Sequence, residues 1–308
     1  MFDPAEVESL RRRQVEAFAN LAHRSDGLAR FAHLGHAVEL AEGFGFTELA
    51  DELRAEAESM TDDELGLHKV AAEVTIPQES IDKWIQEIVG DDQIEEALLR
   101  FGSIIPSDDP GRTRRFVKES ATETPLLSII PTMKLGPENA LLRTVNAEDH
   151  EEQAVIDHET LLTSFFGLVA AEMLEAIRAR YGALAPVAES LFQNFMIDEA
   201  TARHLAKCVE LYEEGRYNEC AHMAVPRIER ILRGLARSIG FSVTRSPGRD
   251  GSAGGVLGLG AILWKLQGVM VEPSCRYLTV LLTRETGINL RNRLSHGLID
   301  EVRQWEAA

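Results

Sequence analysis

The segment RNRLSHG, from Arg291 to Gly297, sets an arginine and a histidine five positions apart. Arginine keeps its charge at every physiological pH and can fork onto phosphate oxygens, while histidine is the side chain best suited to exchanging a proton near neutrality. Phosphodiester cleavage needs both abilities, so Arg291 and His296 are candidates for metal-free ribonuclease chemistry. Apolar spacing predicts an amphipathic helix from Thr286 to Leu298. On such a helix Asn292 and His296 share a face, whereas Arg291 lies about 140° from His296 at about 100° per residue. Two copies packed about a two-fold axis would bring one chain's arginine to the other's histidine, and a homodimer is therefore the expected active form.

Chance also produces such spacings in a chain with nine histidines; Arg30 and His36 in RFAHLGH nearly repeat the pattern on an ordinary amphipathic helix in the acidic half. In the competing reading, Arg291 pairs with a carboxylate, Asn292 and Ser295 are polar filler, and His296 favours the negative end of a helix that Gly297 stops. Upstream, VPRIERILRGLARSIG places Ile228, Ile231, Leu232, Leu235 and Ile239 on one helical face. Arg227, Arg230, Arg233 and Arg237 run along another. That stripe, with Arg293, could track the phosphates of an RNA, or it could be a solvated face paired with Glu229 and other acids. Arg245 and Arg249, in the polar, glycine-rich RSPGRDGSAGG stretch, are further RNA contacts or part of an exposed mobile loop or hairpin.

GINLRNRLSHGL, together with RYNECAHMAVPRIERILR, resembles the HEPN superfamily (higher eukaryotes and prokaryotes nucleotide-binding), and more particularly a bacterial branch known only as a domain of unknown function. The resemblance covers about Asp149 to Leu298. It implies an all-α bundle, an arginine, polar residue and histidine signature on the last long helix, and dimers that join two signatures. Many members are metal-independent endoribonucleases of toxin-antitoxin and anti-phage systems; others are inactive binding modules. Arg291, Asn292 and His296 fall on the signature positions, and Pro226, Glu229 and Arg233 match a PxxExxxR spacing in which Glu229 is expected to brace an arginine. Some relatives carry a tyrosine two residues after the histidine that an antitoxin modifies; Leu298 stands there instead. The resemblance implies RNA as substrate, an antitoxin or defence-system protein as partner, and no cofactor. The alternative is a non-catalytic HEPN-like module for binding or dimerisation.

The elements that must hold these residues read as helices, and all-α is the expected class. Residues 1–140 are expected to form an acidic helical domain, with five helices in the first hundred residues. Pro110, Gly111, Pro125, Pro131, Gly136 and Pro137 loosen the pattern between Ser107 and Asn139, around LLSII and Met133, and the boundary is placed there. Residues 149–308 are expected to form the HEPN-like domain, starting with a helix from His150 to Tyr181.

The net charge of −18 argues against a nucleic-acid binder, but it is unevenly spread. From Thr201 onward fifteen Lys and Arg face eleven Asp and Glu, a local +4, against 17 and 39, or −22, in the first 200 residues. The acidic half could thus cover the basic stripe, an arrangement that deleting residues 1–140 would relieve. Cys208, Cys220 and Cys275 form no C-x-x-C, consistent with a reducing compartment, and the cytoplasm is expected. The apolar run LLTSFFGLVAAEML is expected to be broken by Glu172 short of a membrane span. EDHEEQAVIDHET reads as a solvated acidic helix start rather than a metal site, His204 with Cys208 supplies too few ligands, and the glycines of GGVLGLGAILWK match neither a Rossmann nor a P-loop pattern. No metal is assigned.

Overall fold

A computed structural model of the chain describes residues 3–68, 77–91, 93–104, 109–123, 132–137, 140–195, 197–248 and 253–308. Among these residues the protein is all-α apart from two antiparallel hairpins. Two compact units are present: Met1–Val74 with Pro131–Asn146, and Thr75–Ile130 with Ala147–Ala308. The division is therefore not the single cut near residue 140 that the sequence suggests.

The first unit contains α1 (Pro4–Ala22), α2 (Gly27–Phe44), α3 (Thr47–Glu58) and the short α4 (Asp62–Leu65), then the hairpin of β1 (Thr132–Leu135) and β2 (Leu141–Val145). Asp3 caps α1 by accepting from the Ala5 amide, and Pro4 stands where a helix has no use for its amide. Val15, Phe31, Leu34, Leu53 and Leu65 form the core, and Met133, Leu135 and Leu141 of the hairpin pack on it. Those apolar contacts explain why the hairpin belongs to this unit despite the intervening chain. Arg30 and His36 have local roles here: Arg30 Nη2 donates to Glu56 Oε1 at 2.7 Å, and the His36 ring meets Phe18 edge-on at 4.3 Å.

The second unit contains α5 (Gln78–Val89), α6 (Ile94–Ser103), α7 (Pro110–Glu123), α8 (His150–Tyr181), α9 (Ala185–Asn194), α10 (Glu199–Glu213) and α11 (Tyr217–Ser238). It continues with the hairpin of β3 (Thr244–Arg245) and β4 (Gly255–Val256), then α12 (Leu259–Leu266), α13 (Glu272–Leu282), α14 (Leu290–Ser295) and α15 (Gln304–Ala307). Helix α7 lies where the prolines suggest irregular chain. Asp109 accepts from the Gly111 amide and Pro110 occupies the first helical position, so the apparent breaker is a start signal. The LLSII stretch and Arg249 lie outside the described residues.

Helix α8 is the spine of this unit, packed against by α5, α6, α7, α13 and α15. It runs from His150 to Tyr181 as expected, but the charge at Glu172 does not bring it below the length and apolar composition of a membrane span; by those measures alone it could cross one. Its buried positions nevertheless include Gln153, Glu159 and Thr163. Glu159 is not part of a solvated helix start: it is 6% exposed and accepts from Arg276 of α13. At Gly167 the backbone of Trp305, in α15, approaches so closely that a Cβ would collide with its carbonyl oxygen.

The α5 end is closed by polar contacts of the same unit: Arg100 donates to the carbonyls of Ile88 and Val89, and the Tyr181 hydroxyl donates to that of Val89 at 2.9 Å. A second core joins α11 to α14, with Val225, Leu232, Ala236, Ile262, Leu263, Leu266, Leu282 and Leu294 at its centre. Cys208 and Cys220 share a smaller cluster with Leu211 and Tyr212, where burial pushes the thiols up to about 11 and about 12.

Gly167→Ala is expected to lower stability by about 1 to 3 kcal/mol in urea denaturation, because α15 must shift to admit the methyl group; unchanged stability would contradict this packing. Folded-state stability is also expected to fall as pH rises from the ordinary thiol value of 9.0 toward about 11. Over that range the unfolded chain releases the Cys208 proton that the folded chain keeps. At mildly alkaline pH iodoacetamide should accordingly modify Cys208 and Cys220 in urea but not in buffer, and rapid labelling of native protein would refute their burial.

Candidate functional site

Arg291, Asn292 and His296 lie on and just after α14, which is six residues long. The expected helix from Thr286 to Leu298 thus loses both ends, for two identifiable reasons. At its start, Asn289 adopts φ 53°, a left-handed conformation that asparagine tolerates better than other side chains, so the chain turns into the helix there. The Ile288 and Asn289 amides both reach back to the Val280 carbonyl, tying this corner to α13. At its end, Gly297 takes φ 68° while Leu298 N donates to Arg293 O at 2.8 Å and Gly297 N donates toward Leu294 O. This closure satisfies the last carbonyls and stops the helix.

His296 is the residue at which α14 ends, with φ −102° and ψ 2°, and its side chain is exposed. Among the described residues its ring has no hydrogen bond or ion pair with protein groups. Arg291 is 30% exposed at its side chain. Its Nη1 donates to Asn292 Oδ1 at 2.9 Å, and its Nε lies 3.7 Å from Glu229 Oε2. Asn292 in turn donates from Nδ2 to Asn289 Oδ1 at 2.8 Å. Asn292 therefore orients Arg291, not His296; its only bond to the histidine is the helical one from His296 N to Asn292 O, 3.0 Å.

Glu229 is the second anchor. It lies in α11, and its Oε1 accepts from Arg233 Nη2 one helical turn on, while its Oε2 faces Arg291. Arg233 Nη1 also donates to the Leu257 carbonyl at 2.8 Å. One carboxylate thus holds two guanidinium groups and links α11 to α14. The hydrogen bond to Arg233 is charge-assisted and stronger than a neutral one, and the ion pair with Arg291 is little screened because both groups are half-buried. Pro226 lies inside α11 on its exposed side, where it removes one helical hydrogen bond without ending the helix.

The predicted arginine stripe is only partly a surface. Arg230 and Arg237 are exposed and Arg227 is half-buried, but Arg233 has a side chain 15% exposed and both ends of its fork engaged. Arg230 lies 3.4 Å from Asp198. Arg293 is likewise structural: Nη1 donates to Glu306 Oε1 at 3.0 Å, and the Glu306 side chain is 4% exposed. Arg233 therefore has no free fork for an RNA phosphate, and Arg293, 28% exposed at its side chain, is held through Nη1 by Glu306. The buried face of α11 is Cys220, Ala221, Val225, Leu232 and Ala236, whereas Leu235 and Ile239 are exposed. Arg245 is exposed in β3.

Sequence reasoning missed Asn289 and Glu306. A turn signal was present for Asn289 in the GIN tripeptide. Nothing local marks Glu306 as the partner of a residue 13 positions earlier. No group of three or more potential metal ligands occurs among the described residues. Compared with known proteins, the chain matches no family model, no curated protein and no solved structure.

Glu229→Ala is expected to cost on the order of 2 kcal/mol in urea denaturation, because it strands the half-buried Arg233 and releases Arg291 together. Stability equal to that of the unaltered chain would show that the carboxylate does not carry this junction.

Proposed function

We propose that the protein is a metal-independent endoribonuclease of HEPN type that acts as a homodimer in the cytoplasm, in bacterial defence or toxin-like growth control. The observation that carries the reading is the contrast at α14: an exposed imidazole at the helix end, and a guanidinium pre-oriented by Asn292 and Glu229 but still open to solvent. The guanidinium is built into a fixed position while the proton carrier is left accessible, the division of labour that phosphoryl chemistry requires.

In the proposed reaction, His296 of one chain removes the proton of an RNA 2′-hydroxyl. The 2′-oxygen forms its bond to phosphorus as the phosphorus to 5′-oxygen bond breaks, and the partner's His296 protonates the departing 5′-oxygen. Arg291 donates to the non-bridging oxygens as charge builds on them. The products carry a 2′,3′-cyclic phosphate and a free 5′-hydroxyl, and DNA is spared because it lacks the nucleophile. Exposed Arg230 and Arg237, with the half-buried Arg227, supply the phosphate contacts available on α11. An antitoxin or another defence-system protein is the proposed regulatory partner.

A second reading is favoured by the Glu229 pairing itself, which occupies part of the Arg291 fork. In it, the segment is a non-catalytic module for binding or dimerisation, and Arg291 is an anchor. Purified protein incubated with RNA in excess EDTA separates the two. Cleavage leaving cyclic phosphate ends, reduced about a hundred- to thousandfold in Arg291→Ala and abolished in His296→Ala while both variants still dimerise, is the expected outcome. Equal inertness of all three proteins would overturn the nuclease reading. Deleting residues 1–140 is a poor test of regulation by the acidic half, because it also strips α5, α6 and α7 from α8.

A further inference from the structure

Apart from the α14 segment, the second unit contains a cavity of about 280 Å³, near the lower end of the volumes that hold small ligands, about 300 Å³ upward. Its wall is formed by Glu159 of α8, the turn from Gln267 to Met270, α13 from Glu272 to Val280, and Arg284 beyond the end of α13. Its two arginines are in opposite states. Arg276 is spoken for: its Nε and Nη2 both engage the buried Glu159 carboxylate. Arg284 is not. Its Nε is shut off from solvent without an acceptor, and among the described residues its guanidinium makes no hydrogen bond or ion pair.

A guanidinium that is half-buried, with one N–H withdrawn from water and no acceptor for it, is less favourable than a paired one, and an anion at its remaining N–H groups stabilises it. The neighbouring groups narrow the chemistry further. Thr279 spends its hydroxyl proton on the Cys275 carbonyl at 2.7 Å, leaving its oxygen as an acceptor, and Glu272 is an exposed acceptor on the same wall. Beside one cationic fork, then, stand groups that accept hydrogen bonds.

We propose that this cavity binds a small organic anion, anchored through its carboxylate or phosphate monoester to Arg284 and carrying a hydroxyl or amine that donates to Thr279 and Glu272. The Glu159–Arg276 pair is the rigid back wall. The volume admits a single small metabolite and not a segment of polynucleotide. Because neither Arg291 nor His296 lines the cavity, the site stands whether or not the protein cleaves RNA.

Isothermal titration of the full-length protein with glycerol 3-phosphate, glycerate and uncharged glycerol tests the assignment. Saturable binding of one or both anions and none of glycerol is expected, the tighter of the two identifying phosphate or carboxylate as the natural anchor. Arg284→Gln, which keeps the length and hydrogen-bonding capacity of the side chain, should weaken binding by about ten- to hundredfold, while Arg284→Lys retains part of it. Arg291→Ala and His296→Ala should leave binding unchanged. Failure of both anions to bind, or affinity unaltered in a folded Arg284→Gln protein, would overturn the proposal.

Discussion

A helix of 32 residues with apolar side chains on more than one face is the constraint on which the second unit is built. Burial of apolar surface is the dominant favourable term in folding, and α8 offers too much of it for its immediate sequence neighbours to cover. Helices α5, α6 and α7, which precede it by tens of residues, are drawn onto it, as are α13 and the C-terminal α15. The approach of α15 is so close that position 167 accepts only glycine without a shift of the backbone. The discontinuous division of the chain follows from the same requirement. The segment that a sequential reading assigns to an acidic first domain is needed as cover, and the β1–β2 hairpin beyond it returns to the first unit because Met133, Leu135 and Leu141 find their apolar partners there.

Covering α8 has an electrostatic consequence. Glu159 lies on a buried face, and a buried carboxylate is tolerable only with a partner, which Arg276 provides from α13. A similar solution recurs twice nearby. Glu229 holds Arg233 and Arg291, and Glu306 holds Arg293. Three acidic residues thus account for four of the arginines in a region whose positive charge looks, in composition alone, like a surface for nucleic acid. What remains accessible is narrower: Arg230 and Arg237 with the half-buried Arg227 on α11, Arg245 in β3, and the exposed His296. Arg284 differs from the four paired arginines, because its Nε is buried without an acceptor and among the described residues its guanidinium has no hydrogen bond or ion pair.

The α14 segment shows how a short motif acquires its geometry. Between the left-handed Asn289 and the left-handed Gly297 there is room for less than two turns of helix. Arg291 is steered by its neighbour Asn292 and by a carboxylate on another helix, while His296 stands at the exit. The helical separation still relates the two backbone positions, but the two side chains are held differently. One is fixed by tertiary contacts, and the other is free because the helix ends beneath it.

The amino-acid sequence by itself determined the helical class and the extent of α8. These follow from apolar periodicity, capping residues and spacings of one helical turn, which are local and survive without knowledge of the fold. It did not determine that Pro110 begins a helix rather than interrupting one, that Arg233 and Arg293 are held by distant protein groups, or that α5 to α7 serve α8. Each of those depends on what lies opposite: the Leu257 carbonyl for Arg233, Glu306 for Arg293, and the uncovered faces of α8 for the three helices. Charge and hydropathy along the chain state what each residue requires; only the tertiary structure decides which distant residue supplies it, because contacts between separated segments depend on how the chain closes on itself.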